Sequence, residues 1–368
     1  MANITDVARE AGVSIATVSR VVNDNGYPVR AATRAQVLEA VQRLGFRPND
    51  LARGLMQKRS RTVGLLVPDV ANPYYPEIAR GVEDVASAQS YALVFCNTDR
   101  RADKTEAYVN TLLEKRMDGI IIAGGGTDFT DASTAFTEYG APVVFIGRHR
   151  EGGHSVQISN AAAARDATSH LTMLGHHKIA FLAGPMALTS VQDRLEGYRA
   201  GLHDADLPFD ERLVREGDFG ESSGYEATQA LLAANPRPTA IFAANDLMAI
   251  GAIAAVQDAG LDAPGDVSVV GFDGIALGSY VRPALTTVAI PTYELGAAAM
   301  RMLLELVERK QDPEQGPEPP EGRTVWLPTE LVVRDSSGLA PGAQPKLSRD
   351  TSDGAAGAPE RSERDDAA

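Results

Sequence analysis

Asn245, Asp246 and Asp273 each stand just beyond a short apolar run, Arg194 lies in the segment to which Gly184-Pro185 leads after another, and their types suit recognition rather than bond-breaking. An arginine offers a planar fork of donors and a carboxylate offers acceptors, the combination that grips vicinal hydroxyls with directional bonds. Asn72, Tyr75, Arg148, Ser190 and Phe219 occupy the same kind of position after other apolar runs, as do Asp69, Tyr74 and Asp218. Catalytic signatures do not accompany them. Gly124-Gly125-Gly126 lacks a following Gly-Lys-Ser/Thr, and H-E-x-x-H does not occur. His176 and His177 have no partner at metal spacing, so His176 reads as a loop or capping residue. No enzyme, metal or cofactor is expected.

The elements that must carry these residues emerge from the pattern after Thr62. Strand candidates are Val63 to Val67, Ala92 to Cys96, Gly119 to Ile122 and Val143 to Ile146. A second set is Ile179 to Leu182, Leu213 to Arg215, Ala240 to Phe242 and Val267 to Gly271. Helical runs lie between them, including Tyr75 to Ser87, Lys104 to Lys115, Arg194 to Leu202, Gly224 to Leu232 and Leu247 to Ala259. Such alternation predicts parallel βαβ units, and ligands of open α/β sheets bind beyond the carboxyl ends of the strands. A structural role competes at two positions, since Asp246 and Asp273 could cap the helices that come after them.

The first 61 residues differ from the rest. They hold ten Lys/Arg against five Asp/Glu, a balance of +5, so the remainder carries −19 of the total −14. A basic head on an acidic body suits a protein that grips phosphates at one end. Ile4, Val7, Ala8 and Ala11 are spaced as one face of a short helix, with Thr5 as its expected cap. Gly12 breaks that helix, Ser14 recaps, and Val18, Val21 and Val22 give a second helix its buried side. Two short helices about a glycine turn predict a helix-turn-helix. A third helix, Thr33 to Leu44, is expected to face Val37, Leu38, Val41 and Leu44 inward.

With Asp6-Val7-Ala8, Gly12-Val13-Ser14, Thr17-Val18-Ser19-Arg20-Val21, Gly45-Phe46, Pro48-Asn49 and Leu51-Ala52-Arg53-Gly54-Leu55, the chain resembles the LacI/GalR family of transcriptional regulators, out to about Val333. Later matches are Asn72-Pro73-Tyr74-Tyr75, Asp193-Arg194, Gly197-Tyr198, Asn245-Asp246, Gly271-Phe272-Asp273 and Pro283 to Thr287. The resemblance implies an all-α helix-turn-helix head over 1–47, a hinge helix and linker over 48–61, and a two-lobed α/β body of periplasmic-binding-protein type over 62–335. Lobe 1 would take 62–160 and 290–322, and lobe 2 would take 161–289 and 323–335. The chain would cross between lobes near Asn160, Ile290 and Arg323.

The same resemblance implies a homodimer on a palindromic operator, controlled by a small effector in the interlobe cleft. Ile15, Ala16 and Arg20 would meet base edges, with Arg20 on guanine, while Thr5, Ser14, Thr17, Ser19 and Asn23 would cap or touch phosphates. Leu55 would wedge the central base step beside Ala52 and Arg53, favouring CG at the operator centre. Lobe rotation on effector binding would shift the hinge between coil and helix. Asn72, Tyr75, Arg148, Ser190, Arg194, Phe219, Asn245, Asp246 and Asp273 would hold a sugar-like or nucleoside-like effector, with Phe219 or Tyr75 over its ring. Relatives that use purine corepressors carry an arginine near Leu188, which is absent here. Arg30 departs from the family's capping serine, and Gly147 and Ser159 from its aspartates.

Rival readings are a purine-dependent regulator, or a sugar-binding protein without DNA function, which would need a signal peptide. The start lacks a basic n-region and an apolar h-region, and no apolar stretch approaches the roughly 20 residues of a membrane span, so a cytoplasmic protein is expected. Cys96, the single cysteine, is expected to be a buried thiol. The Pro/Glu-rich loop 312–322 and the Ser/Gly/Pro/Ala-rich 336–368 are poor in apolar residues, and the latter is expected to be a disordered tail.

Overall fold

The computed structural model describes residues 2–23, 27–46, 59–124, 130–148, 153–310 and 322–343, the side chains of 23 and 130–133 excepted.

The head is three helices, α1 (Ile4–Glu10), α2 (Ile15–Asn23) and α3 (Ala31–Leu44). Val7, Ala8, Val18, Val21, Val37 and Ala40 form its core, with Ile4, Val41, Leu44 and Phe46 packed against it. Leu38 is not part of this core. It is 45% exposed, because Val37 and Ala40 take the inward face of α3 instead. Thr5 is not the cap of α1 either. The Asn3 carboxamide oxygen accepts from the Thr5 and Asp6 amides at 2.9 and 3.0 Å, and Asp6 accepts back from the Asn3 amide at 2.9 Å. That reciprocal pair is a capping box, and it leaves Thr5 on the exposed first turn. Ser14 caps α2, accepting from the Thr17 amide at 3.2 Å. Arg30 starts α3 without a side-chain cap, and Gly45 ends it at φ +58°, where a side chain would be strained.

The remaining described chain forms two sheets in two compact units. The first unit contains β1 (Thr62–Val67), α4 (Tyr74–Ala88), β2 (Ala92–Asn97), α5 (Ala102–Glu114), β3 (Gly119–Ala123), α6 (Thr130–Tyr139), β4 (Val143–Ile146) and β5 (His154–Gln157). The second begins with α7 (Asn160–Met173), β6 (Ile179–Ala183), α8 (Thr189–Asp204, whose first residues to Asp193 group with the first unit), β7 (Val214–Glu216) and α9 (Glu221–Ala233). It continues through β8 (Ala240–Ala243), α10 (Asp246–Asp258), β9 (Ser268–Asp273) and β10 (Thr286–Ala289). The chain then returns through α11 (Thr292–Arg309) and β11 (Thr324–Trp326) before β12 (Glu330–Val332).

The sheet orders are β11-β5-β4-β3-β1-β2 and β12-β10-β9-β8-β6-β7, so the second repeats the pattern of the first. In both, the first strand of the unit pairs in parallel with the next two, β1 with β2 and β3, and β6 with β7 and β8. The strand order reverses at those first strands, which makes their carboxyl ends the place where a doubly wound sheet opens a ligand crevice. Central strands are buried throughout, as in β3 and β6, because helices cover both faces.

Two boundaries differ from the sequence reading. β11 pairs in parallel with β5, Val325 opposite Val156, so 324–326 belong to the first sheet and not to lobe 2. The final passage therefore comes after Glu330 rather than near Arg323. The segment from Ser336 to Ala343 is structured rather than tail-like. Ser336 is fully buried, its hydroxyl donating to Val269 O at 2.6 Å and accepting from the Thr286 amide at 2.8 Å. Composition misled here because small polar residues can be ordered wholly by hydrogen bonds. Residues 344–368 and the loop 311–321 lie outside the described residues.

His176 is likewise no loop histidine. Its ring is fully buried, with Nδ1 3.0 Å from Thr239 Oγ1 and Nε2 3.0 Å from Ser268 Oγ and 3.1 Å from Gly338 O. Burial holds it below the usual imidazole range. Cys96 is 1% exposed, and burial pushes its thiol up to about 11.

Candidate functional site

In the head, α2 divides its residues cleanly. Val18 and Val21 are buried, while Ser14, Ile15, Ala16 and Arg20 are exposed, Ile15 by 47%. Ala16 and Arg20, four apart, share a helical face, and Ile15 borders it, so the three form one exposed surface opposite Val18 and Val21. Thr17 and Ser19 flank it, half-buried, and the Thr17 hydroxyl lies 2.9 Å from that of Ser14. The Arg20 guanidinium rests over the Tyr27 ring, 5.2 Å from its centroid. Sequence reasoning missed Tyr27. A cation over an aromatic face gains roughly 0.5–1 kcal/mol at an exposed site, which orients the arginine without using its donors. Asn23 ends α2, its side chain outside the described set, and Ala52, Arg53 and Leu55 lie outside the described residues altogether.

The second unit places Phe219, Asn245, Asp246 and Asp273 at or just beyond the carboxyl ends of β7, β8 and β9, and α8 carries Arg194 in its second turn. Arg194 and Asp273 are buried, and a guanidinium nitrogen stands 3.9 Å from Asp273 Oδ1. The same guanidinium donates to the Ala244 carbonyl and stacks on Phe272, 3.8 Å from the ring centroid. Asp273 sits at φ +119°, a strained conformation for a residue with a Cβ and one that clusters at functional sites. Burial holds its carboxyl well above the usual range, opposed by Arg194 and reinforced by Asp246.

Asp246 faces inward. Its carboxylate accepts from the Ile275 amide at 2.8 Å and from the Thr287 hydroxyl at 2.5 Å, and it is wholly buried. Burial pushes it up to about 7 against those hydrogen bonds. Gly271 makes this possible, because a Cβ there would lie 2.2 Å from Asp246 Oδ1. The helix cap is the neighbouring residue: Asn245 accepts from the Met248 amide at 3.1 Å, and its NH2 donates to Phe219 O at 2.9 Å. Phe219, at φ +74°, lays its ring against Gly184. Asn245 thus positions Phe219, while Asp246 ties β9 and β10 to the start of α10.

In the first unit Asn72 caps the turn into α4, accepting from the Tyr74 amide at 2.9 Å. Tyr75 is 7% exposed, with Tyr74 edge-on at 5.0 Å between centroids. Arg148, exposed after β4, donates to Asp193 at 2.8 Å, and its carbonyl accepts from Thr189 at 3.3 Å. Ser190 is half-buried in the first turn of α8. Thr287 and Phe272 went unassigned in sequence, although both fall inside matched motifs. Among the described residues no group of His, Cys, Asp or Glu could hold a metal, and no helix is long and apolar enough to cross a membrane.

Known proteins share this arrangement. Residues 3–49 match the family described as bacterial regulatory proteins, lacI family, and residues 60–321 match periplasmic binding proteins and sugar binding domain of LacI family. Catabolite control protein A of Priestia megaterium is 40% identical over 337 residues, covering 91% of this chain and 98% of that protein. The ribose operon repressor of Halalkalibacterium halodurans is 38% identical, covering 92% and 97%. The solved lac repressor dimer bound to operator and the anti-inducer ONPF superposes with a TM-score of 0.81 at 31% identity, covering 92% of this chain and 99% of that one. The chain belongs to the LacI family of bacterial regulatory proteins and is a DNA-binding transcriptional regulator.

Proposed function

We propose that this regulator is a cytoplasmic repressor that binds a palindromic operator as a homodimer and responds to a small sugar-like or nucleoside-like effector. The observation that carries the reading is the exposure of Ile15, Ala16 and Arg20 on one side of α2 while Val18 and Val21 fasten the other. In this reading Arg20 donates to guanine in the major groove, Ile15 and Ala16 meet apolar base edges, and Thr5, Ser14, Thr17, Ser19 and Asn23 set register on phosphates. The hinge roles of Ala52, Arg53 and Leu55 rest on the resemblance alone, with head, linker and body divided near residues 47 and 61.

Arg194, Asn245, Asp246 and Asp273 support the effector half, with Ser190 and Phe219 beside them in sequence or contact. Asn72, Tyr75 and Arg148 are the corresponding set of the first unit. Asp246 acts in this scheme through Thr287 and Ile275 rather than by touching the effector. Coupling between effector and operator of about 1–3 kcal/mol would give a switch of roughly 5–150-fold. The names of the ribose operon repressor and of the operator-bound lac repressor dimer point the same way.

Selection of bound duplexes from a random library, with the full-length protein, tests this directly. A palindrome with CG at its centre is expected, and its affinity should change when ribose, other simple sugars or nucleosides are added. A non-palindromic site would remove the symmetric dimer. Loss of affinity until a purine base is supplied would favour the corepressor alternative.

A further inference from the structure

Three hydrogen bonds converge on one carboxylate where the chain enters β1. The Ser60 amide donates to Asp118 Oδ1 at 2.7 Å, and the Ser60 hydroxyl donates to the same oxygen at 3.0 Å. The Arg61 amide donates to Oδ2 at 3.0 Å. Asp118 lies just before β3, half-buried, and its own amide donates to Thr62 O at 2.9 Å. On the opposite side the Arg61 carbonyl accepts from the Ala92 amide, the first residue of β2, at 2.9 Å. Ser60 and Thr62 add reciprocal bonds, Thr62 Oγ1 to Ser60 O at 3.1 Å and the Thr62 amide to Ser60 Oγ at 3.2 Å.

The bonds to the Asp118 carboxylate fall before the strand rather than on it. β1 is already paired along its length, Thr62 to Val67 opposite Ala92 to Asn97 and Val63 to Leu66 opposite Gly119 to Ile122. They hold the two residues before it, and they hold them in an unusual shape. Arg61 has φ +49°, a left-handed conformation that is strained for a residue with a Cβ. A carboxylate that accepts from adjacent amides offsets that strain with charge-assisted bonds. The turn therefore persists because Asp118 sits under it. Tyr91, just before β2, is half-buried nearby, and burial, reinforced by the charge of Asp118, pushes its phenol up.

We propose that Asp118 is a positioning residue for operator binding, fixing the direction in which the chain leaves the first sheet toward the DNA-reading head. A head tethered through a fixed turn loses less orientational freedom on docking than one on a loose segment, so the clamp raises specific affinity without touching DNA. The inference rests on operator binding by this head, and not on the identity of any effector.

The test uses full-length wild type, Asp118→Ala and Asp118→Asn, with the operator duplex obtained by selection and a random duplex of equal length at one salt concentration. In Asp118→Ala the Ser60 and Arg61 amides should lose protection from hydrogen exchange. Operator affinity should fall about tenfold while affinity for the random duplex stays within about twofold. Asp118→Asn retains one acceptor oxygen and should fall between, which keeps the test open if the alanine variant does not fold. Lost protection with unchanged operator affinity would overturn the proposal, as would retained protection, or an equal loss on both duplexes. If selection returns no operator, the operator-binding reading fails first and this proposal falls with it.

Discussion

The guanidinium of Arg194 lies against the ring of Phe272 at 3.8 Å, and the residue after that phenylalanine, Asp273, supplies the carboxylate 3.9 Å from an Arg194 nitrogen. One strand end thus contributes both the surface and the countercharge for a single buried cation. The pairing explains how a full positive charge is kept at 7% exposure.

Replacing Arg194 by Ala strands the Asp273 carboxyl in a dry site. Breaking a buried pair in this way costs about 3 kcal/mol, and here proton uptake by Asp273 limits the loss, since its carboxyl is already held well above the usual range. Urea unfolding should show the deficit, and it should shrink as pH is lowered. The operator complex of the variant should also cease to respond to effector. A response that survives would remove Arg194 from the effector site.

Asp246 gives the pH dependence of the body a definite sign. Its carboxyl is raised from 3.8 to about 7, so between those values the folded chain holds a proton that the unfolded chain has lost. This contribution to stability is complete below about pH 4 and declines as pH rises through 7. Asp246→Asn keeps the shape without the charge. It should match wild type near pH 3.5 and exceed it near pH 8 by on the order of 2–4 kcal/mol. Superimposable pH profiles of unfolding for the two proteins would contradict the assignment.

At the head, Asn3→Ala should remove the capping box of α1 and cost about 1 kcal/mol, whereas Thr5→Ala should cost a few tenths. Amide exchange of residues in α1 within the full-length protein distinguishes the two. Equal effects would mean that Thr5 caps after all.

Truncation separates the ordered segment 336–343 from the residues beyond it. Ending the chain after Asp335 removes the partners of the Val269 and Thr286 amides, both on fully buried residues, and the Gly338 carbonyl beside His176 Nε2, whose ring keeps Thr239 and Ser268. Each orphaned buried donor costs about 1–3 kcal/mol, so the two amides together should cost about 2–6 kcal/mol. Ending it after Ala343 should change stability by less than about 0.5 kcal/mol. A thermal melt of the two truncations decides the matter, and a stable Asp335 product would return 336–343 to the tail.

Local pattern was enough for much of this protein. The period of apolar residues located the three head helices, and short apolar runs located eight strands of the body, because burial on both faces of a parallel sheet writes itself as a continuous stretch such as Ile120-Ile121-Ile122. The places of Asn245, Asp246 and Asp273 came from the same logic, since a polar residue at the end of a buried strand must sit at its carboxyl end. What those residues do there was decided by contacts between distant segments. Asp246 turns inward because Gly271 leaves room and Thr287 supplies a donor 41 residues away. Ser336 is core because buried amides on two other strands need its oxygens, and Asp118 matters because residues 57 and 58 positions earlier turn onto it. Periodicity reports which face of an element is buried. It carries no record of which hydrogen-bond partner waits there, and that information enters only when the chain closes on itself.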